Sequence, residues 1–286
     1  MTTFVPETGD RPDPAGPPER VSRPRRFVMC RPEHFTVSYA INPWMDLSSP
    51  VDTALAVAQW EALRRTYLDM GHTVDVVLAV PGLPDMVYAA NGALVTPQGT
   101  VGVRFTHAER AGEAEAYASW LEAAGLGPVH RPASTNEGEG DLLVVGDRLL
   151  AGHGFRSTLE SHREVARVLG REVTSLRLVD PRFYHLDTAL TVLGDDDVAY
   201  FPGAFDEASR RVLQALFPDA LTTGAETAEV LGMNAVSDGR RVVLSPLAHR
   251  YADQLRHRGY DPVPVDLSEL LKGGGGAKCC TLEVRR

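Results

Sequence analysis

From Arg26 onward the chain repeats one pattern: short apolar runs, a stretch of helical period, then another apolar run. The first unit has RFVMC and, past a connecting segment, a helix in VDTALAVAQWEALRRTYLDMG followed by TVDVVLAV. Ala56, Trp60, Leu63 and Tyr67 fall on one helical face, with Asp52 as the cap and Gly71 as the stop. The second unit reads DMVYAA, ALVTPQGTVGVRF and the helix AEAYASWLEAAG. The third reads DLLVVGDRLLAGHG, a helix around TLESHREVARVLG, then VTSLRLVD. The fourth reads TALTVLGDDDVAYFPG and DEASRRVLQALFP; the fifth reads NAVSDGRRVVLSP, YADQLRHRGY and DPVPVDL. PQGT, GD, GDDD and SDGR supply the hairpin turns. Units recurring every 40 to 50 residues or so predict an α/β repeat closed around an axis, with a plain two-layer α/β sheet as the alternative. In a closed ring distant segments meet at the axis, which is where a site belongs.

Composition narrows the class. The 286 residues are 43% hydrophobic and 23% charged, enough for a sizeable core in one large domain or two ordinary ones. A net charge of −9 argues against nucleic acid as a partner. The sequence has no apolar run of the roughly 18 residues a membrane span needs and no signal-like opening, so no membrane partner is expected. Three cysteines make no disulfide framework, and a reduced cytoplasm fits them best. Residues 1–25, rich in proline and charge, are expected to form a disordered arm, and residues 26–286 one folded domain.

Polar and reactive residues gather in four stretches: Asp85 and Asn91 in PDMVYAANGALV, Glu137, Glu139 and Asp141 in NEGEGDLLVVGD, His185 and Asp187 in RFYHLDTAL, and Cys279 with Cys280 in GGGGAKCC. The alternation around His185 and Asp187 predicts that both point to one side of a strand. Cysteine, histidine and carboxylates spread over distant segments are the parts of a thiolate nucleophile with an acid/base partner, and the glycines give the thiol access. Set against this, a single histidine among nine is usually a surface or core residue, and the Glu137–Asp141 cluster has a solvated turn as its alternative, which the company of the other motifs disfavours. Cys30 in FVMC reads as core, and Pro43 and Trp44 as lining or simple packing. His34, His72, His153 and His249 form no ligand pattern, so no metal and no cofactor are expected. GGGGAKCC fails the phosphate-loop pattern.

RFVMCRPEHFTVSYAINPWMD, Y-A-A-N-G, E-G-x-G-D, R-S-T, H-L-D-T and the terminal G-G-x-x-C occur in the order found in the guanidine-modifying superfamily. The chain resembles its arginine deiminases, dimethylarginine dimethylaminohydrolases, arginine dihydrolases and amidinotransferases over roughly residues 26–286. The resemblance implies a five-bladed ββαβ propeller, a pentein, with pseudo-fivefold symmetry. It implies Cys279 as nucleophile, with Cys280 an apolar neighbour, and His185 as general acid/base. Glu137 is the implied carboxylate partner of the histidine, with Glu139 as its rival because the stretch carries one residue more than E-G-G-D. Asp187 is implied to hold the guanidinium, Arg156 to take the substrate carboxylate and Arg110 to be a second such arginine; Asp85 joins the substrate-binding set. Asn91 stands where many members have aspartate and, with INPWMD, resembles the arginine dihydrolases, which convert arginine to ornithine, carbon dioxide and two ammonia. A dimethylargininase, an amidinotransferase and a non-catalytic arginine-binding protein are the alternatives. The expected partner is a small guanidino molecule, and exposed outer helices suggest a homodimer.

Overall fold

The computed structural model describes residues 19–285, and among them five three-stranded sheets share one plan. In each, a middle strand is antiparallel to one neighbour and parallel to the other, and a helix lies on the parallel crossover. One sheet joins Leu94–Thr96, Gly99–Val101 and, past helix Ala111–Ala123, Val129–His130. The next joins Leu142–Val145, Arg148–His153 and, past helix Leu159–Leu169, Val173–Arg177. Another joins Leu190–Val192, Val198–Tyr200 and, past helix Glu207–Leu216, Leu221–Thr222. A fourth joins Val236–Ser237, Arg241–Leu244 and, past helix His249–His257, Asp261–Pro264. The remaining sheet is shared between the two ends of the chain. Arg26–Cys30 runs parallel to Thr73–Val77, across helix Thr53–Asp69, and antiparallel to Leu282–Glu283.

The local chemistry is that of the repeat. Asp52 caps the first helix by accepting from the Leu55 N–H at 3.0 Å, and Gly71 follows it at φ 86°. Ala56, Trp60, Leu63 and Tyr67 are all at most 1% exposed and pack with Phe27 and Met29 of the neighbouring strand. Burial of side chains of this size stabilises by about 1.5–3 kcal/mol each. Gly146 turns the hairpin between Val145 and Arg148 at φ 54°, a left-handed conformation that favours glycine.

Three expectations need correction. DMVYAA is not a strand: Pro84–Val87 and Ala89–Gly92 are two successive 3₁₀ turns, the first opened by Pro84. His185 and Asp187 do not alternate along a strand either. His185 is extended, but Leu186–Thr188 is a 3₁₀ turn, closed by the Thr188 hydroxyl donating to the His185 carbonyl at 2.7 Å. Of the expected arm, residues 1–18 lie outside the described residues, whereas Glu19–Arg25 lies against the fold. There Arg20 pairs with Asp197 at 3.1 Å and covers the Tyr260 ring at 4.0 Å, and Arg25 pairs with Glu283 at 3.0 Å. Basic residues that look solvated in sequence find acidic partners on distant hairpins. The short return strand Leu221–Thr222 was not expected, since two residues carry no periodicity. Among the described residues no helix is long and apolar enough to cross a membrane.

Candidate active site

The antiparallel outer strand of every sheet is entered through a tight turn, and these turns meet. Asn91, Glu139, Asp187 and Cys279 each stand three residues before a strand's first residue, at Leu94, Leu142, Leu190 and Leu282. Asn234 stands two before Val236 in the remaining sheet. Hydrogen bonds run from turn to turn in a complete circuit. Ala90 N–H donates to the Cys279 carbonyl at 3.0 Å, and Glu139 N–H to the Ala93 carbonyl at 3.2 Å. Leu186 N–H donates to Asp141 Oδ1 at 3.1 Å, Asn234 Nδ2 to the Asp187 carbonyl at 3.1 Å, and Cys279 N–H to Asn234 Oδ1 at 3.0 Å.

Inside this circuit lie the titratable groups. The Cys279 thiol donates to Asp187 Oδ2 at 3.2 Å and accepts from Asn234 Nδ2 at 3.1 Å. His185 Nε2 meets Glu137 Oε2 at 2.7 Å, and the same carboxylate accepts from Arg156 Nη1 at 2.9 Å and the Thr106 N–H at 3.1 Å. The structure therefore places Glu137 on the histidine. Glu139 turns the other way, onto Lys278 at 2.8 Å and onto Arg285. Gly138 between them has φ 57°, which sends the two carboxylates in different directions.

Burial governs the electrostatics. It works to raise the Glu137 pKa, but the His185 hydrogen bond and the Arg156 charge outweigh it and hold the carboxyl well below its ordinary range. Burial pushes the Asp187 carboxyl up to about 6, against the Lys278 charge and the Cys279 hydrogen bond. Burial, then the Asp187 charge, holds the Cys279 thiol well above its ordinary value, so without substrate the sulfur keeps its proton. Cys280 is pushed up by burial too, and packs with Phe35 and Tyr67 in the core. Among the described residues, His185 Nδ1, Asp187 Oδ1 and Asp85 Oδ1 are buried and have no hydrogen-bond partner within the protein. A basic or acidic atom left unpaired in such a place is ready for a ligand.

Both arginines expected to take a carboxylate are engaged internally. Arg110 forms a bidentate pair with Glu113 at 2.8 and 2.9 Å, donates to Asn91 Oδ1 at 2.9 Å and lies 3.9 Å from Asp85. Arg156 holds Glu137 and the Ile41 carbonyl, the latter at 2.9 Å, and stacks on Tyr184 at 4.6 Å. Asn91 completes the group with its amide donating to the Glu137 carbonyl at 3.4 Å. Over these residues runs the connection from Arg31 to Asp52. Tyr39 donates to Asp85 Oδ2 at 2.9 Å, Asn42 to the Gly273 carbonyl at 3.1 Å, and Trp44 Nε1 to the Arg182 carbonyl at 2.8 Å. Among the described residues no group of three or more His, Cys, Asp and Glu side chains is placed to hold a metal ion.

Sequence reasoning missed Asn234, Asn42 and Tyr39. Aligning M-N-A-V of the fifth unit with N-G-A-L and D-T-A-L puts Met233 opposite Asn91 and Asp187 and leaves Asn234 one place further on, so the repeat does not single it out.

No model of a known protein family matches the chain. Among curated proteins it is 56% identical over 268 residues to the dimethylarginine dimethylaminohydrolase of Mycobacterium tuberculosis, covering 94% of this chain and 88% of that one. It is 38% identical to the bifunctional arginine dihydrolase/ornithine cyclodeaminase ArgZ of a Synechocystis strain, covering 91% of this chain but only 37% of that protein's length. The N-terminal domain of ArgZ, solved bound to substrate, superimposes with a TM-score of 0.87 at 38% identity over 92% of this chain and 98% of that domain. The chain thus belongs to the guanidine-modifying superfamily and is a guanidino hydrolase. Within that superfamily it falls with the dimethylarginine dimethylaminohydrolases and the arginine dihydrolases.

Proposed function

We propose that the enzyme hydrolyses arginine itself, in two rounds, to ornithine, carbon dioxide and two ammonia, through a covalent intermediate on Cys279. The observation that carries this reading is Asn91: the reacting group is offered one fixed carboxylate, Asp187, and a neutral amide where a second carboxylate would demand a cation. The five sheets would close into a pseudo-fivefold propeller over residues 26–286, and the unbroken circuit of turn-to-turn hydrogen bonds supports that closure.

In the proposed reaction the guanidinium lies against Asp187, whose unpartnered Oδ1 takes one of its N–H groups. A cation beside Asp187 reverses the local field at the sulfur, so with substrate bound the thiol passes its proton to His185 and the thiolate forms. The thiolate attacks the guanidinium carbon and a C–S bond forms. The tetrahedral carbon then expels one nitrogen as ammonia, protonated by His185, whose positive charge Glu137 balances at 2.7 Å. His185 next takes a proton from water; the hydroxide attacks the thiouronium carbon, the C–S bond breaks and a ureido group leaves. In the second round the thiolate attacks the neutral ureido carbon and expels the second ammonia; water then cleaves the resulting thiocarbamate C–S bond, and the carbamate released loses carbon dioxide to leave ornithine, with two waters consumed overall. Arg156 and Arg110 would receive the substrate carboxylate as the Arg31–Asp52 connection moves, since Arg156 holds the Ile41 carbonyl of that connection.

Dimethylarginine hydrolysis is the second reading, favoured by the 56% identity to the mycobacterial enzyme. Purified protein given arginine, citrulline and dimethylarginine separately distinguishes the two, with ammonia, citrulline, methylamines and ornithine quantified. Ornithine with two ammonia per arginine, lost in Cys279→Ala and kept in Cys280→Ala, is expected. Citrulline with methylamine release would move the enzyme to the second reading. Residence in the cytoplasm and a homodimer through the outer helices belong to the same proposal; a light-scattering mass of one chain would remove the dimer.

A further inference from the structure

Asn234 is the group most intimately joined to the reactive sulfur, and nothing in the reaction as written uses it. Its side chain is 1% exposed and uses its whole hydrogen-bonding capacity. Oδ1 accepts two backbone N–H groups, from Gly276 and from Cys279, each at 3.0 Å. Two N–H donors fix which end of the amide is the oxygen, so the NH₂ group must face the other way. There it donates to the Cys279 sulfur at 3.1 Å and to the Asp187 carbonyl at 3.1 Å. One amide thus ties the nucleophile's backbone, its sulfur, the glycine turn before it and the residue that would hold the guanidinium.

The turn carrying Asn234 is itself unusual. Its N–H bonds to the carbonyl of Leu231, a buried non-glycine residue held at φ 49°. A leucine in the left-handed region is strained, and such strain persists only where the surroundings impose it.

We propose that Asn234 is a catalytic residue of this site: its Nδ2–H is the fixed donor that stabilises the Cys279 thiolate and aims it at the carbon held by Asp187. The inference rests on Cys279 being the nucleophile. The groups facing the sulfur otherwise oppose its ionisation or carry no charge. Burial and the Asp187 carboxylate disfavour the thiolate, as does Cys280, and Tyr88 and Tyr184 lie close by as neutral phenols. Asn234 is the contact that works in the other direction. Lys278, next in the chain, spends its charge on Glu139 and on the field at Asp187. A donor aimed at an anion that exists only during reaction is the arrangement that accelerates chemistry rather than binding.

Asn234→Asp separates this role from a structural one, because the carboxylate still accepts from Gly276 and Cys279 but cannot donate to sulfur once ionised. The rate of Cys279 alkylation by iodoacetamide is followed from pH 6 to 10, with the modified residue located by mass spectrometry. In Asn234→Asp and Asn234→Ala the rate at a given pH is expected to fall about ten- to hundredfold, as befits loss of a hydrogen bond to a charged group. Turnover should fall by a similar factor with KM little changed. Rate profiles that superimpose on the native one, in a variant with native circular dichroism and melting temperature, would overturn the proposal. Should neither variant fold, the native protein still decides. Its ¹⁵N-labelled Asn234 side-chain resonances are expected to shift on alkylation of Cys279, and resonances that stay put would refute the contact. Persistence of turnover in Cys279→Ala would instead remove the nucleophile on which the inference depends, so the two failures are told apart.

Discussion

Replacing Asp187 by asparagine should make the protein more stable and inactive at once. Asp187 is fully buried beside the Cys279 sulfur, and its carboxyl is pushed up to about 6 from an ordinary 3.8. A carboxyl whose folded pKa is raised binds its proton more tightly in the native state. The folded protein therefore has its full share of stability from this group below pH 4 or so and loses it as pH rises through about 6. A rise from 3.8 to about 6, at roughly 1.4 kcal/mol per pH unit, makes the ionised carboxylate a burden of about 3 kcal/mol above pH 6. Asparagine removes that burden while keeping the shape and an acceptor for the Cys279 thiol, and it exchanges the unpartnered Oδ1 for another unpartnered polar atom. Urea unfolding of both proteins from pH 4 to 8 isolates the effect, because every other carboxylate titrates in both. The variant's advantage should be near zero at pH 4, grow through pH 5 and level off near 3 kcal/mol, or about 6 °C in melting temperature, by pH 7. Guanidine turnover should fall by about a thousandfold or more, from loss of the charge that fixes the substrate plane. A variant less stable than native at pH 7.5, or an advantage that does not vary with pH, would refute the reasoning.

Two further outcomes follow from the same geometry. A Cβ at Gly140 would sit 2.3 Å from Asn91 Nδ2 and 3.1 Å from the His185 ring, so Gly140→Ala should cut kcat by at least about tenfold through displacement of both side chains, read by steady-state kinetics. Glu139→Gln leaves Lys278 and Arg285 without their buried partner and should destabilise by about 3–5 kcal/mol in urea unfolding, whereas a change below 1 kcal/mol would show these cations finding water instead.

Much of this molecule can be read from the order of its residues, for physical reasons that differ by element. The face Ala56, Trp60, Leu63 and Tyr67 is legible because a helix against a sheet must bury one stripe, and the hairpins are legible because Gly146 and the PQGT turn carry their own backbone demands. The cluster of Cys279, His185, Glu137 and Asp187 is legible through motifs spread over the chain, whose meeting depends on the ring that the repeat predicts. What stays hidden lacks local signature. The 3₁₀ turns at Pro84–Val87 and Leu186–Thr188 look like strands because two or three apolar residues fit either conformation. Glu137 and Glu139 are equivalent in sequence and are separated only by the left-handed Gly138. Asn234 sits in an ordinary turn, and its importance exists only once Cys279 has folded against it.

The pairing of Leu282–Glu283 with Arg26–Cys30 also has a consequence for the newborn chain. Synthesis delivers Arg26–Cys30 first and its antiparallel neighbour only after every other sheet has been made. Leu282 and Glu283, which close that sheet, lie three and four residues beyond Cys279, the proposed nucleophile. A ribosome that stalls anywhere before Cys279 therefore releases a product with an open edge and without the proposed nucleophile. The proposed nucleophile and the strand that covers this edge emerge together, and a chain cut short of them keeps an exposed edge open to aggregation.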